Sequence, residues 1–388
     1  MQHGSYRETW TEISLDAIHH NVKTFKDHIG NNTKYMAVVK ADGYGHGAVE
    51  VANEALLAGA EYIAVAILDE AVLLRDAGVK APILVMGYTP PEALKEAIER
   101  DITLTVFTLE AAEAVNKLAN DLQKKTRIHI KVETGMNRIG LRNKDHVLDL
   151  ARSLSSEWVS IEGIFTHFAD ADNKDTSYTD KQFESFLEMT DYLQEQGINI
   201  PIRHCCNSAG TIAHPSKHLE MVRVGIAMYG LYPEDFMKEM IDLTQAMTLK
   251  TKPVFIKNLQ AQEYISYGCT FTTERDSKIA TIPIGYADGF SRLLSNRGDV
   301  IVNGERAGIV GRVCMDQSMI DVTGIDGVDR ETVISIFGDE KAGHIPMAEV
   351  ADLMGTIHYE TTCLIGKRIP RVYVKDGREV KEKSQLTE

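Results

Sequence analysis

Several features that would place a protein in a specialised class are missing from this sequence. Its 388 residues include five cysteines, an odd number, and none of them forms a Cys-x-x-Cys pair. This pattern indicates neither a disulfide framework nor a zinc site, and we expect most of the cysteines to be small buried residues. No apolar run reaches eighteen residues, and the N-terminus MQHGSYRETW lacks the apolar stretch of a signal peptide. These absences predict a cytoplasmic protein.

Positive charge is also scarce. The chain has 42 Lys and Arg residues against 56 Asp and Glu residues, a formal net charge of −14, and no run of five or more basic residues. Neither nucleic acid nor an anionic membrane surface is therefore expected as a partner, and small-molecule chemistry is favoured. A composition of 44% hydrophobic and 25% charged residues is typical of an ordinary globular chain, here long enough for two domains.

Short apolar runs alternate with segments of helical spacing from residue 34 to about residue 230, as in parallel strands joined by crossover helices. One helical segment, YTDKQFESFLEMTDYLQEQG, ends at Gly197, where a C-terminal glycine is expected. Eight such units predict an α/β fold, a (β/α)8 TIM-type barrel over residues 12–243, with an open doubly wound sheet as the alternative. The strand candidates are YMAVV (35–39), EYIAVA (61–66), APILVMG (81–87), ITLTVF (102–107), RIHIKV (127–132), VSIEGIFTHF (159–168), IPIRHC (200–205) and LEMVRVG (219–225).

The pattern changes after about residue 243 to alternating strands separated by hairpin signals. VNGER (302–306) contains Asn-Gly and VKDGREV (374–380) contains Asp-Gly, and both pairs suit a type I′ turn. Residues 244–388 are therefore predicted to form a C-terminal all-β domain, which residues 1–11 are expected to join.

Lys40 is the first candidate for chemistry. It follows the apolar run of the first barrel strand, so its side chain would reach the C-terminal end of the barrel, where such folds carry their active sites. The glycines at 43, 45 and 47 fit neither G-x-G-x-x-G nor a P-loop. A solvated lysine is the ordinary interpretation of a strand end. A lysine that forms a Schiff base with a carbonyl cofactor explains the glycine-rich loop better.

The segment AVVKADGYGHG (37–47) resembles the cofactor-lysine motif of the bacterial alanine racemases, pyridoxal 5′-phosphate enzymes that combine a barrel with a β domain. The resemblance continues in order through KVETGMNRIG (131–140), FTHFADAD (165–172), CNSAG (206–210), VRVGIAMYG (222–230), SYGCTF (266–271), IPIGYADGF (282–290), GRVCMDQSMID (311–321) and IHYE (357–360). Two positions depart from the family pattern. Glu133 stands where the family more often has Asp, and Cys314 is a variable position.

The resemblance implies that the protein interconverts L-alanine and D-alanine by two-base α-proton transfer on a pyridoxal-phosphate external aldimine, supplying D-alanine for peptidoglycan. Lys40 would bind the cofactor and act as the base on the D-face. Tyr267, from the other subunit, would be the base on the L-face, which implies a homodimer with shared active sites. His167 would link Tyr267 to Arg223, because a phenol with a pKa of about 10 needs neighbours that favour its anion.

Arg223 would face the pyridine nitrogen of the cofactor by the same resemblance. A guanidinium only donates hydrogen bonds, so the ring nitrogen would stay unprotonated and the cofactor would be a weaker electron sink. This suits an enzyme that only moves a proton. It argues against a related decarboxylase, which needs a carboxylate at this position.

The remaining site residues are also implied by the resemblance, and no metal is expected. Ser208, read without the resemblance, would be the N-cap of a short helix. The full set of cofactor-binding residues is Lys40, Tyr44, His167, Asn207, Ser208, Arg223, Gly225, Ile226 and Tyr359. Arg138 and Met315 would bind substrate, with Lys131, as a carbamate, and Asp316 in support. Asp172, Tyr286, Arg292, Arg312 and Ile357 would line the entrance.

Two other functions remain open on the sequence. One is an amino-acid racemase of broader specificity, because the volume of the pocket near Tyr359 and Met315 is not readable from the residues. The other is a non-catalytic pyridoxal-phosphate-binding protein built on a similar barrel. Such a carrier needs Lys40 and phosphate contacts but has no use for Tyr267 or for residues at an entrance.

Overall fold

The computed structural model describes residues 5–386, whose strands form sheets of eight, seven, three and two strands. No helix in this range is long and apolar enough to cross a membrane. The strands are β1 Thr9–Ser14, β2 Lys34–Val38, β3 Tyr62–Val65, β4 Ile83–Val85, β5 Thr103–Val106, β6 Thr126–Lys131, β7 Val159–Phe165, β8 Ile202–His204, β9 Met221–Val224, β10 Met247–Thr251, β11 Phe255–Leu259, β12 Tyr264–Ile265, β13 Phe271–Thr272, β14 Ser277–Ile282, β15 Asp299–Val302, β16 Glu305–Gly308, β17 Ser318–Asp321, β18 Ile334–Phe337, β19 Arg371–Lys375 and β20 Arg378–Lys383. The helices are α1 Leu15–Ile29, α2 Ala48–Leu57, α3 Leu68–Asp76, α4 Leu94–Glu99, α5 Leu109–Leu122, α6 Lys144–Ser153, α7 Ser177–Glu195, α8 Ser208–Ala213, α9 Met347–Met354 and α10 His358–Leu364.

The eight-stranded sheet is the predicted barrel. Its strands lie in the order β8-β7-β6-β5-β4-β3-β2-β9, and every neighbouring pair is parallel. The amide of Arg223 donates to the carbonyl of Cys206 at 3.1 Å and so links the segments at the two ends of this order. The prediction of a (β/α)8 barrel, rather than an open doubly wound sheet, is confirmed.

The barrel interior contains polar side chains as well as aliphatic ones. His129 on β6 is fully buried, and its ring lies against Gly163 on β7. A Cβ atom added at Gly163 would come within 2.5 Å of that ring, so the glycine makes room for the imidazole. The barrel core is therefore shaped to hold a histidine, a point that matters for the site at its mouth.

The seven-stranded sheet belongs to the second unit of the chain. Its order is β16-β15-β18-β10-β1-β19-β20, and the N-terminal strand β1 pairs antiparallel with β10 and parallel with β19. Both predicted hairpins are present, as β15-β16 and β19-β20. Asn303 and Gly304 have φ of 50° and 84°, as a type I′ turn requires. The C-terminal β domain is confirmed, and it also carries the short helices α9 and α10.

The contacts within the chain define two units. Within the described residues, 18–43 and 48–243 form the barrel unit, and 5–17, 44–47 and 244–386 form the β unit. This division differs from the expected boundaries because β1 continues to Ser14 and because the short segment 44–47 groups with the β unit.

Two smaller predictions have different outcomes. Gly197 follows α7 with φ of 82°, as expected of a glycine after a helix C-terminus. The prediction that most cysteines are buried is wrong, because only Cys205 and Cys206 are buried, among five cysteines that all lie in the described range. Cys269 lies in an exposed turn and Cys363 is exposed on helix α10, both in the β unit.

Candidate active site

Lys40 begins a left-handed turn directly after the β2 strand. Ala41, Asp42 and Gly43 have φ between 52° and 61° with ψ between 43° and 50°, a conformation that costs a non-glycine residue about 1–2 kcal/mol. The turn is fixed by hydrogen bonds from Ala41 N to the Glu70 carboxylate and from Ala48 N to the Asp42 carboxylate. Backbone strain held in this way is typical of functional sites, and here it sets the start of the Lys40 side chain.

Ser208 and Gly225 lie at the same end of the barrel as Lys40. Strand β9 pairs with β2, and Gly225 follows β9 as Lys40 follows β2. The Ser208 hydroxyl accepts hydrogen bonds from Gly225 N at 3.0 Å and from Ala227 N at 3.4 Å. A hydroxyl that accepts in this way still has its own proton to donate, which suits a phosphate group at the mouth of a barrel.

The N-cap of α8 is Asn207 and not Ser208. The Asn207 side chain accepts from Gly210 N at 2.9 Å, whereas the Ser208 hydroxyl turns toward the β9 end. The reading of Ser208 as an ordinary cap is therefore wrong. The sequence pattern Asn-Ser leaves two capping residues in a row, and the tertiary contact to Gly225 decides between them.

Arg223 is the central charge of the barrel mouth. The residue is only 2% exposed. Its guanidinium donates at 2.9–3.2 Å to two carbonyls and two ring nitrogens, those of Thr166, Cys205, His167 and His204. Burial lowers the pKa of Arg223 to about 10, so it remains charged at neutral pH. No ion pair to Arg223 exists within residues 5–386. A buried cation without a carboxylate is costly and marks a functional group.

His167 is neutral in this setting. Its Nδ1 atom lies 3.2 Å from the Arg223 guanidinium, which is only a donor, so Nδ1 accepts and the ring proton is on Nε2. Burial and then the charge of Arg223 hold the pKa of His167 well below its ordinary value. The predicted contact between His167 and Arg223 is present, and it leaves an N–H group on the opposite side of the ring.

Lys131 lies inside the barrel near the end of β6 and is almost completely buried. Its pKa is lowered to about 8, chiefly by burial and also by the charges of Arg223 and Arg138, while the charge of Glu133 acts in the opposite direction. Its ammonium donates to the carbonyl of Val132 and lies 5.6 Å from the centre of the Phe165 ring. A lysine with this pKa is partly neutral near pH 8 and is then able to react with carbon dioxide.

Arg138 lies on the exposed loop that follows β6. Glu133 holds this loop, because its carboxylate accepts from the amides of Gly135 and Arg138. Glu133 therefore supplies a carboxylate that stabilises this turn, although the family more often has Asp at this position. Asp172, the other barrel residue predicted at the entrance, is half-buried in the loop before α7.

Tyr267 is on the β unit, in a turn with unusual backbone geometry. Ser266 has φ of 68° and ψ of −179°, a region that is nearly restricted to glycine, and Cys269 has a positive φ of 48°. The Ser266 hydroxyl donates to the carbonyl of Arg312 at 2.6 Å and so joins this turn to the segment that carries Arg312. Tyr267 is 73% exposed. The strained backbone of this turn therefore carries an exposed tyrosine side chain.

Tyr286, Met315 and Asp316 are brought together in the β unit. The amides of Tyr286 and Ala287 donate to the carbonyls of Cys314 and Met315 at 3.0 Å. Gly285 makes this approach possible, since a Cβ atom there would lie 2.2 Å from the Cys314 carbonyl oxygen. Tyr286 and Met315 are both exposed.

Arg368 is a residue of this group that the sequence analysis missed. It pairs with the exposed Asp316 at 2.8 Å and with the fully buried Asp288 at 3.2 Å, and Arg7 also pairs with Asp288. Nothing in the local sequence around Arg368 indicates these pairs, because they join segments far apart in the chain.

The other predicted residues of the β unit lie in different environments. Tyr44 is buried and Tyr359, on α10, is half-buried. Arg292 and Ile357 are exposed and Arg312 is half-buried. His204 and Glu162 were also missed in the barrel. The signal for Glu162 is the alternation of polar residues along the strand VSIEGIF, whereas His204 lies on the three-residue strand β8, which is too short to show an alternation.

Comparisons of this chain with known proteins all indicate the same family. Residues 13–233 match the family model for the alanine racemase N-terminal domain, and residues 246–373 match that for the alanine racemase C-terminal domain. A protein of Oceanobacillus iheyensis named alanine racemase 2 is 64% identical over 99% of this chain and 97% of its own length.

Solved structures agree with this relationship. An alanine racemase from Clostridium difficile matches with a TM-score of 0.94 and 40% identity, covering 98% of this chain and all of the other. A structure described as alanine racemase from Bartonella henselae with covalently bound pyridoxal phosphate matches with a TM-score of 0.84 and 29% identity, covering 95% of this chain and 99% of that one.

Proposed function

We propose a two-base mechanism for this chain, which belongs to the alanine racemase family and interconverts L-alanine and D-alanine. The observation that carries the mechanism is Arg223, a buried guanidinium that donates to neutral acceptors and has no carboxylate partner in the described range. A group of this kind offers only hydrogen-bond donors to whatever lies at the barrel mouth. It favours the reversible removal of a proton over reactions that need a stronger electron sink.

The residues present fit pyridoxal 5′-phosphate. Lys40 supplies an amine for the aldehyde of the cofactor, at the end of a strand that is paired with the one preceding Gly225 and Ile226. Ser208, whose hydroxyl accepts from Gly225 N and Ala227 N, keeps its own proton to donate to a phosphate, and the backbone around Gly225 and Ile226 is proposed to join it. Asn207, Tyr44 and Tyr359 are proposed to complete the cofactor site, with His167 and Arg223 beside the ring. When bound, the cofactor withdraws electrons from the α-carbon of the amino acid and makes its proton removable.

The two bases are proposed to act on opposite faces of the α-carbon. Lys40 takes or returns the proton on the D-face, and Tyr267 does so on the L-face. His167 supports the tyrosine because the Nε2 proton, fixed by the contact of Nδ1 with Arg223, is available to donate to a phenolate. A hydrogen bond to the charged form of the phenol lowers its pKa toward the range in which it serves as a base.

The substrate carboxylate is proposed to bind Arg138, whose forked donors suit a carboxylate. Met315 would limit the space for the side chain of the substrate and so favour alanine. Lys131 would hold Arg138 as a carbamate. This proposal is supported by the pKa of about 8 that burial gives to Lys131, because a neutral amine is the form that reacts with carbon dioxide.

A homodimer with shared active sites is proposed from the exposure of the β-unit residues. Tyr267, Tyr286, Met315 and Ile357 are all exposed apolar or aromatic side chains. Residues of this kind are enriched at interfaces and are costly to leave in water. At the entrance to the site, Tyr267, Tyr286 and Met315 would be joined by Asp316, Arg292 and Arg312 of the same subunit. Asp172 and Ile357 of the other subunit would face them. The protein is further proposed to act in the cytoplasm and to supply D-alanine for peptidoglycan.

Exchange of the α-proton of alanine tests this function directly. We expect the purified protein, incubated with pyridoxal 5′-phosphate and L-alanine in deuterium oxide, to remove the α-proton signal and to yield equal amounts of the two enantiomers. Serine and 2-aminobutyrate should react much more slowly, whereas equal rates would favour a racemase of broader specificity. Binding of the cofactor without any loss of the α-proton signal would show a carrier and not an enzyme.

A further inference from the structure

A buried chain of hydrogen bonds leads away from Arg223 through the centre of the barrel. The Arg223 guanidinium lies 3.0 Å from Nδ1 of His204, and Nε2 of His204 lies 2.8 Å from Nδ1 of His129. Nε2 of His129 lies 3.1 Å from a carboxylate oxygen of Glu162. Both histidines are completely buried, and the Glu162 side chain is 17% exposed.

We propose that Glu162 is a positioning residue for the racemase reaction, which fixes the tautomers of His129 and His204 and thereby keeps an acceptor on Arg223. The inference rests on the proposed function of Arg223. Glu162 touches neither the substrate nor the cofactor site, and it acts only through the two imidazoles.

Each link of the chain has one permitted direction. A guanidinium has donors only, so Nδ1 of His204 must accept and its proton must be on Nε2. That proton is donated to Nδ1 of His129, whose own proton is then on Nε2 and is donated to Glu162. An ionised carboxylate only accepts hydrogen bonds. Glu162 therefore ends the chain as an acceptor, as Arg223 begins it as a donor.

The charges around the chain support this arrangement. Burial lowers the pKa of both His129 and His204, and the charge of Arg223 lowers them further, so both rings are neutral near pH 7. Burial acts to raise the pKa of Glu162. The hydrogen bond from His129, together with the charge of Arg127 and the hydroxyl of Tyr62, outweighs it and leaves the pKa below its ordinary value. Glu162 is therefore an acceptor at neutral pH.

The neighbouring residues hold the rings in place. Phe165 stacks on His204 with ring centres 4.8 Å apart and planes 12° apart, and Arg223 lies 5.4 Å from the same phenyl ring. Gly163 provides the space that His129 occupies. With their orientation fixed by packing, the rings are free to change only by moving a proton. The tautomer is thus the variable that Glu162 controls.

Loss of the acceptor would remove that control. Without a carboxylate, His129 is able to carry its proton on Nδ1, which would place two N–H groups against each other at the His204 contact. The mismatch would pass to Arg223, whose orientation at the barrel mouth depends on the His204 acceptor. In proteases, a carboxylate that fixes the tautomer of an adjacent catalytic histidine contributes a large factor. Glu162 is two links farther from the reaction, so we expect its loss to lower kcat by a factor of about ten to one hundred.

Substitution of Glu162 tests the proposal in the cofactor-loaded enzyme. Glu162→Leu removes the acceptor, and we expect kcat to fall about ten- to hundredfold in both directions with KM for alanine within about twofold. Glu162→Gln keeps an oxygen able to accept from His129, and it should retain kcat within about threefold. A purely structural residue would show neither this kcat-specific loss nor this recovery.

Two matched controls remove polar contacts of similar size without breaking the chain. Tyr62→Phe removes the second hydrogen bond of Glu162, and Glu220→Gln removes the ion pair with Arg203 on strand β8. Both should leave kcat within about twofold, since neither changes an acceptor in the chain. If either control loses as much activity as Glu162→Leu, the proposal is overturned. It is also overturned if a folded Glu162→Leu keeps the wild-type kcat.

The tautomers themselves give a measurement that is independent of activity. In wild-type protein labelled with ¹⁵N-histidine, we expect the NMR signals of His129 and His204, assigned from His129→Gln and His204→Gln, to show neutral rings protonated on Nε2. Rings protonated on Nδ1 would refute the chain even if Glu162→Leu does not fold. A wild-type protein that shows the expected tautomers but exchanges no α-proton of alanine would instead refute the proposed function.

Discussion

The barrel half and the β half of the proposed site are built in opposite ways. In the barrel, Arg223 and Lys131 are buried, and their donors are used by atoms of the same unit. In the β unit, Tyr267 and Met315 are 73% and 52% exposed, and the backbone near Tyr267 is strained. The buried charges of the barrel half therefore have hydrogen-bond partners within their own unit. The β half presents side chains whose surroundings are not supplied by its own unit, as expected if a second chain covers them.

The largest expected effect is in the barrel, at Lys40. Lys40→Ala removes both the attachment of the cofactor and one base, and we expect α-proton exchange to fall by more than about 10⁴-fold. The visible absorption of the bound cofactor should disappear as well. Lys34→Ala, at the exposed start of the same strand, is the matched control and should be close to wild type. A Lys40→Ala protein that remains yellow and active would refute the barrel half of the proposal.

Removal of Tyr267 should have a smaller and one-sided effect. In Tyr267→Phe the D-face base is intact, so we expect racemisation to fall about 10²- to 10⁴-fold while D-alanine still exchanges its α-proton with solvent without inversion. Tyr264→Phe, a similarly exposed tyrosine on strand β12, should have little effect. Equal losses of exchange for both enantiomers would contradict the two-base assignment.

Mixing of the two inactive variants tests whether the halves come from different chains. If Tyr267 is donated across a dimer interface, a mixed Lys40→Ala and Tyr267→Ala dimer has one intact site. Random exchange of equal amounts should then restore about one quarter of wild-type activity, because half of the dimers are mixed. Exchange confirmed with two different tags but without any recovered activity would show that both bases belong to one chain.

A more moderate effect is expected at Lys131, in the barrel half of the site. Because burial gives Lys131 a pKa of about 8, its neutral fraction rises between pH 7 and pH 9. Carbamate formed from ¹³C-labelled bicarbonate should therefore increase over that range and be absent from Lys131→Gln. That variant should raise KM for alanine about tenfold, the value of one charge-assisted hydrogen bond held by Arg138. An unchanged KM would separate Lys131 from substrate binding.

The sequence predicted the strands and hairpins better than the details of the site. Alternation and turn pairs such as Asn303-Gly304 are local signals, and the structure has the corresponding elements. The left-handed turn after Lys40 was not predicted, because it depends in part on a long-range contact, that of Ala41 with Glu70. The interpretation of Ser208 as a cap, which applied only without the resemblance, was wrong because the contact of Ser208 with Gly225 is also long-range. The site residues themselves were identified by family resemblance.

The chain from Arg223 to Glu162 shows why the rest could not be predicted. His129 and His204 are 75 positions apart, and neither local strand pattern distinguishes a buried histidine with a partner from one near solvent. The polar face of RIHIKV placed His129 and Lys131 on one side of a strand, which is evidence for a polar barrel interior. The direction of each hydrogen bond follows only from the three-dimensional order of donors and acceptors.

The smallest expected effect concerns acid stability, which should differ between the units because their histidines differ. Burial is the chief cause that lowers the pKa values of five barrel histidines, and in the β unit it lowers the pKa of His344. The barrel group is His129, His167, His204, His214 and His218. A histidine with a depressed pKa in the folded state contributes stability above its unfolded pKa of about 6.5, and this stability is lost as the pH falls.

The two tryptophans allow each unit to be followed separately, since Trp10 lies on β1 of the β unit and Trp158 lies beside β7 of the barrel. In urea denaturation followed by fluorescence, Trp10→Phe reports on the barrel and Trp158→Phe on the β unit. Between pH 7 and pH 5 the carboxylates stay largely ionised, so the histidines dominate the change. We expect the midpoint reported by Trp158 to fall more than that reported by Trp10. Equal shifts would mean that the units unfold together or that the barrel histidines take up protons without cost, and the contrast between the two regions would then not extend to stability.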